Sequence, residues 1–378
     1  MIRVASLLFV CLLAACRGSG VPVAPTPSPY FEAVSSRLEL GGEVFAYADI
    51  DGDAEQASEF LLGLLRDAPE LRGIGDVSRL HGASLARVLG LDRTRAIGLS
   101  SVVDGTRYRN RGFVYAAERT GLLQVWGDAP RELGTLAMAP FESDLVFEQQ
   151  LDADELVALI RGLGELGIGM PPEALDAWLD AQRLDLTMRD VLEGLKTTVG
   201  VILSVDEGRN VWLPGQTFTF PHTSFIVAVD GVSELADSVA RYAASEPFLR
   251  TRESNGWTIV SPAIRLPAPW NAYEPALMKH AESGRTYFVS SPAFLKECLA
   301  SGGALATNAS FQVASAGLPD TGNSFLYLSP RMTRVMHAAL DKVIAAQGPA
   351  IQTQVARALL PDAGEPYAWI LRNEPEGV

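Results

Sequence analysis

The sequence predicts an α+β fold, in which largely antiparallel sheets carry helices packed on one face, and three observations point to it. A short apolar strand, a polar capping residue and an amphipathic helix recur five times along the body. Between these units lie hairpin signals such as "SSVVDGTRYRNRGFVYAAE", where Asp104-Gly105 sits between two β-rich runs. The composition is that of a globular chain: 378 residues, 48% hydrophobic and 20% charged, enough for two ordinary domains.

The first unit is "EVFAYADIDGDAEQASEFLLGLL". Val44 to Tyr47 alternate as a strand, and Ala54, Ala57, Ser58, Leu61, Leu62 and Leu65 fall on one helical face. In the second, "DLVFEQQLDADELVALIRGL", Asp152 and Glu155 have capping-box spacing before Leu156, Leu159, Ile160 and Leu163. The third, "TSFIVAVDGVSELADSVARYA", places Val232, Leu235, Ala236, Val239 and Ala243 in a stripe. The fourth and fifth start their helices with Ser291-Pro292 and Ser329-Pro330, a cap followed by proline in the first turn. "LLQVWG" and "WTIVSPAIRL" add strand signals, and Pro171 to Lys196 reads as helical. Asp51 to Asp152 and Asp230 to Ser329 span nearly equal lengths of about 100 residues, as two related domains would give.

Charge narrows the partners. Thirty-one Lys and Arg against 45 Asp and Glu leave a formal charge of −14, and no basic block offsets it, so nucleic acid is not an expected partner. Lysine occurs only at Lys196, Lys279, Lys296 and Lys342.

The opening "MIRVASLLFVCLLAAC" has a positive residue at Arg3, an apolar run from Val4 to Leu13 and small residues before a cysteine, the layout of a secretory signal. Within it Leu13-Ala14-Ala15-Cys16 resembles the lipobox of bacterial lipoproteins. That resemblance implies cleavage before Cys16, lipid on its thiol and new amino group, and a membrane contact made through this lipid. In enteric-type lipoproteins Arg17, in place of aspartate, implies the outer membrane, with the body facing the periplasm. "RGSGVPVAPTPSP" then carries Pro22, Pro25, Pro27 and Pro29, an extended spacer reaching up to roughly 40 Å. The stretch "LELGGEVFAYADIDGD" is loosely similar to a group of bacterial exported lipoproteins and implies no activity.

The expected organisation is a signal segment at 1–15, a lipidated cysteine and proline-rich tether at 16–29, a first α+β domain at 30–170, a helical connection at 171–198 and a second α+β domain at 199–378. Cys11 leaves with the signal, and Cys298 lies beside Phe294, Leu295 and Leu299, the setting of a buried inert thiol.

Candidate chemistry is sparse. Asp49, Asp51 and Asp53 alternate like the start of a calcium loop, but positions 6 and 12 of such a loop are Ala54 and Phe60 where glycine and glutamate are required. Helix capping by Asp53 is the better expectation, with no metal site. "GLGELG", 162–167, has dinucleotide spacing but follows a helix instead of a strand, so its glycines are expected to end that helix and no cofactor is implied. His81, His222, His280 and His337 stand far apart. In "SPAIRLPAPWNAYEPALMKH", four prolines surround Trp270 and Tyr273, a candidate binding loop whose rings could equally plug one end of a sheet. The expectation is a lipid-anchored cell-envelope protein acting as a non-catalytic binding or scaffolding module. The alternatives are a periplasmic hydrolase with a carboxylate-lined cleft and a carrier of an apolar ligand.

Overall fold

The computed structural model describes residues 28–67, 81–105, 107–127, 129–194, 196–212, 218–348, 353, 356–357 and 360–373. The signal segment, Cys16 and nearly all of the tether lie outside these residues. The chain is α+β with antiparallel sheets, as its alternation and hairpin signals led one to expect.

It divides into two compact units. One takes the described residues up to Ala129, 154–176 and Asn373; the other takes 130–153 and 177–372. This departs from the expected division at 30–170 and 199–378, and the units differ in build, one having three main strands and the other nine. The physical cause is strand pairing across long sequence separations, which local patterns do not encode.

In the smaller sheet β1 (Val44–Asp49), β2 (Thr94–Asp104) and β3 (Arg107–Ala116) lie in that order, all antiparallel. The β2–β3 hairpin turns at Gly105, φ +64°, a backbone that glycine adopts without steric cost. Helix α1 (Phe31–Ser35) buries Val34 with Leu38, Ala96 and Phe113. A Cβ on Gly98 would collide with Val34 and Leu38, so this glycine permits the close approach. Helices α2 (Ala54–Asp67), α3 (Gly82–Leu89) and α5 (Ala153–Glu165) bring together Leu62, Leu85, Leu89 and Leu163. Full burial of one such leucine is worth about 2 kcal/mol. The run "LLQVWG" is not a strand: Leu122–Val125 form the short helix α4, after Gly121 at φ +57°. A short apolar run cannot be assigned by periodicity alone. Helix α5 ends as its glycines foretold: Gly167 takes φ +80° and Ile168 N–H donates to Leu163 O at 2.9 Å.

The stretch 171–196 is only partly helical: α6 (Pro172–Leu179) and α7 (Met188–Gly194) flank a tiny hairpin of β6 (Gln182–Arg183) and β7 (Leu186–Thr187). Leu184 and Asp185 turn it with positive φ. A second two-stranded pair joins β4 (Arg131–Glu132) to β14 (Thr321–Gly322).

The larger sheet uses β5 (Leu145–Asp152), β8 (Lys196–Trp212), β9 (Thr219–Val229), β10 (Leu249–Ser254), β11 (Trp257–Pro262), β12 (Ala276–His280), β13 (Thr286–Val289), β15 (Ser324–Leu328) and β16 (Tyr367–Leu371). Their order is β10-β11-β12-β13-β9-β8-β5-β15-β16, every pair antiparallel. One face supplies the main core: Val146, Ile202, Ile226, Val289, Phe325 and Tyr327 pack with Phe294, Leu295 and Cys298 of α9 (Pro292–Ala300). Helix α10 (Ala309–Ser315) adds Phe311 to it. Leu328 and Val205 point to the opposite face, where Met332 of α11 (Pro330–Gln347) covers them, so helices lie on both sides of this sheet. Helix α8 (Ser233–Ala243) buries Ala236, Ser238 and Ala243, close to the expected stripe, with Val232 in front of it and no side-chain cap.

The serine caps form as the sequence predicts. Ser291 accepts from Phe294 N–H at 3.2 Å and Ser329 from Met332 N–H at 3.0 Å. Among the described residues no helix is long and apolar enough to cross a membrane.

Candidate functional site

Two grooves in the larger unit flank α11. The first, about 300 Å³, opens where β15 runs into the Ser329 cap. Alternation puts Tyr327 into the core and Leu328 on the far face, and the Ser-Pro step then turns the chain into the helix. Asp144, at the foot of β5, is buried below this turn. Its carboxylate accepts from Ser329 Oγ at 2.5 Å, Val205 N–H at 2.7 Å and Arg331 Nε at 2.8 Å. The hydrogen bond to Asp144 raises the Arg331 guanidinium above its ordinary value. Glu142, Glu207, Asn308 and Ser310 complete the wall. Burial, helped by Asp144, pushes the Tyr327 phenol up to about 12.

What this groove can do chemically is bounded. Ser329 Oγ accepts from Met332 N–H and donates to Asp144, and among the described lining residues there is neither histidine nor cysteine.

A bulge in β8 shapes the second region. Pairing with β9 jumps between Asp206 and Asn210, looping out Glu207, Gly208 and Arg209. Pro221 faces Asn210 at this break, a position where a strand tolerates a residue without an N–H. Gly208 N–H donates to Asp206 Oδ1 at 3.0 Å, and Arg209 Nη2 donates to Ala272 O at 3.3 Å. His222, opposite Asp206, stacks on Tyr273 with centroids 4.8 Å apart and planes 15° apart. The imidazole is buried, and among the described residues its Nε2 has no hydrogen-bond partner. Burial first, then Arg209, holds it below its ordinary value, against the opposing pull of Ala272 O and Asp206.

The two rings of the proline-rich loop therefore part company. Tyr273 is fixed against His222, while Trp270, in a 3-10 turn at Trp270–Ala272, remains 48% exposed. The second groove, about 260 Å³, lies between Phe220 and Pro221 of β9 and Val335, Ala338 and Ala339 of α11. Glu207, Arg334 and Lys342 stand at it.

The other candidates resolve into structure. Asp49 Oδ1 accepts from Asp51 N–H at 3.1 Å, and Asp51 is engaged by Arg95 and by Tyr30 Oη at 2.8 Å. Tyr30 and then Arg95 hold the Asp51 carboxyl below its ordinary value, despite opposing desolvation. No capping bond from the Asp53 side chain is found among the described residues; its N–H closes a turn on Ile50 O at 2.9 Å. Among the described residues no group of three or more His, Cys, Asp or Glu side chains is placed to hold a metal ion. Cys298 is buried, and desolvation pushes its thiol up to about 12. His337 is tied to Pro361 O at 2.7 Å. Buried Glu148 accepts from Gly134 N–H at 3.2 Å and from Thr135 N–H; burial raises its carboxyl against these bonds, so it anchors a loop to the sheet.

Asp144, Arg331, Glu207 and Arg334 were not singled out by sequence. The Ser329-Pro330 cap was the available signal for the groove's position, since the residues at a helix start converge on whatever precedes it.

No protein-family model matches the chain, and no curated protein or solved structure matches it either.

Proposed function

We propose that this chain is a lipid-anchored cell-envelope protein, held at the outer membrane on the periplasmic side, whose body is a non-catalytic binding module. The observation that carries the address is Leu13-Ala14-Ala15-Cys16 at the end of a signal-like apolar run. Non-catalytic character is supported by the saturation of Asp144 and Ser329, the groups best placed for chemistry in the first groove. Binding is supported by two open grooves on a rigid antiparallel sheet and by half-exposed Trp270 beside a fixed Tyr273.

The test is Cys16→Ala in the producing cell. The wild-type chain should sediment with membranes, carry acyl chains and begin at Cys16, and the variant should lose the lipid and remain unprocessed at that site. An acylated variant, or a wild-type product starting elsewhere, would overturn the proposal.

A further inference from the structure

We propose that the groove between α11 and β9 binds one small aliphatic carboxylate, an inference that rests on the binding-module reading and specifies its ligand. Arg334, Ala338 and Lys342 follow one another at four-residue spacing and so form a single ridge of α11. The methyl of Ala338 leaves a gap between two cations whose backbone positions are about 12 Å apart along the axis. Val335 and Ala339 form the adjoining ridge, and with Phe220 and Pro221 they make an apolar slot. Phe220 is itself braced by Phe218, with ring centroids 4.9 Å apart.

Charge selects the head group. Among the described residues lining this groove are two cations, Arg334 and Lys342, and one carboxylate, Glu207, in a chain whose total is −14. Glu207 lies 4.0 Å from Arg334 Nη2, too far for a direct hydrogen bond, so the guanidinium fork retains donors for a bidentate carboxylate. Lys342 Nζ donates to Thr219 O at 2.9 Å and lies 5.9 Å from the centroid of the Phe218 ring, and its ammonium carries three protons in all.

Size selects the tail. A volume of about 260 Å³ falls just below the usual range for drug-sized ligands and admits one short unbranched chain, not the paired chains of a phospholipid. A free short-chain acid is therefore the occupant, and its affinity should be modest, with Kd of about 0.1–1 mM.

The experiment uses the full processed lipoprotein in phosphatidylcholine nanodiscs, with labelled octanoate in equilibrium dialysis and empty discs as blank. One octanoate should bind per chain, at least tenfold more tightly than 1-octanol. Ala338→Trp, at an exposed position where the ring fills the slot, should abolish binding. Arg334→Gln with Lys342→Met should weaken octanoate at least tenfold and leave octanol unchanged. Far-ultraviolet dichroism and the unfolding midpoint confirm that each variant folds. No saturable uptake through the millimolar range, equal affinity for octanol, or binding untouched by both variants would each overturn the proposal. Mass spectrometry of the wild-type chain beside the titration separates the two readings: octanoate binding by a wild-type chain that carries no lipid refutes only the anchor, and a lipidated wild-type chain without octanoate binding refutes only the groove.

Discussion

The guanidinium of Arg331 lies side-on against the buried carboxylate of Asp144, with Nε 2.8 Å from Oδ1 and Nη2 2.7 Å from Oδ2. Asp144 precedes β5 and Arg331 opens α11, so this pair, with Ser329 between them, ties a strand start to a helix start across the sheet. The Asp144 side chain is 2% exposed and that of Arg331 28%. Removing the arginine therefore strands a buried charge, whereas removing the aspartate leaves a cation that can reach water. Arg331→Ala should cost about 2–4 kcal/mol in urea unfolding, with Asp144→Ala of similar size through loss of the Ser329 and Val205 bonds. A loss below about 0.5 kcal/mol for Arg331→Ala would show that the bridge is incidental.

His222 predicts a pH dependence with a definite sign. Its folded-state pKa is lowered from 6.5, so below pH 6.5 the unfolded chain takes up a proton that the folded chain refuses. Stability is fully present above that pH and is lost as pH falls toward the folded value. The slope cannot exceed about 1.4 kcal/mol per pH unit, the limit for one proton. His222→Gln should flatten this part of the unfolding profile. Identical pH profiles for the variant and the wild type would refute the assignment.

Cys298 should be silent in the native chain. With its thiol pushed up to about 12 and packed among Phe294 and Leu295, almost no thiolate exists at pH 8. Maleimide should label it only after denaturation. Cys298→Ser should destabilise by about 1–3 kcal/mol, because a hydroxyl replaces sulfur in an apolar site. Stoichiometric labelling of the folded chain would show that the core opens there.

Gly200 on β8 pairs with Glu148, and a Cβ at this position would run into the Thr135 side chain. Thr135 N–H is one of the donors holding Glu148. Gly200→Ala should therefore cost about 1–3 kcal/mol by prising the loop from the sheet. Adding Thr135→Ala should recover part of that loss, since the clash includes the threonine Oγ1 and Cγ2. Additive losses in a double-mutant cycle would mean that the two residues do not meet.

Local signals carried well where one residue or one turn decides the outcome. The serine caps at 291 and 329, the Asp104-Gly105 hairpin and the glycine end of α5 all form as their chemistry requires. Two other signals were less dependable: the six-residue "LLQVWG" became a helix, and the longer stretch 171–196 broke into two helices around a hairpin. At the site, Tyr273 could be suspected from its loop, but its partner His222 lies in a different strand and looked like a lone histidine.

By itself the sequence determined the α+β class, the acidic total charge, the serine caps at 291 and 329 and the glycine end of α5, because propensity, period and capping act over a few neighbours. Tertiary structure alone decided that β5 pairs with β15 and β8, that Asp144 meets Arg331, and that two cations on α11 face an apolar slot on β9. These relationships join residues far apart in the chain, and their partners are chosen by burial and register over the whole sheet.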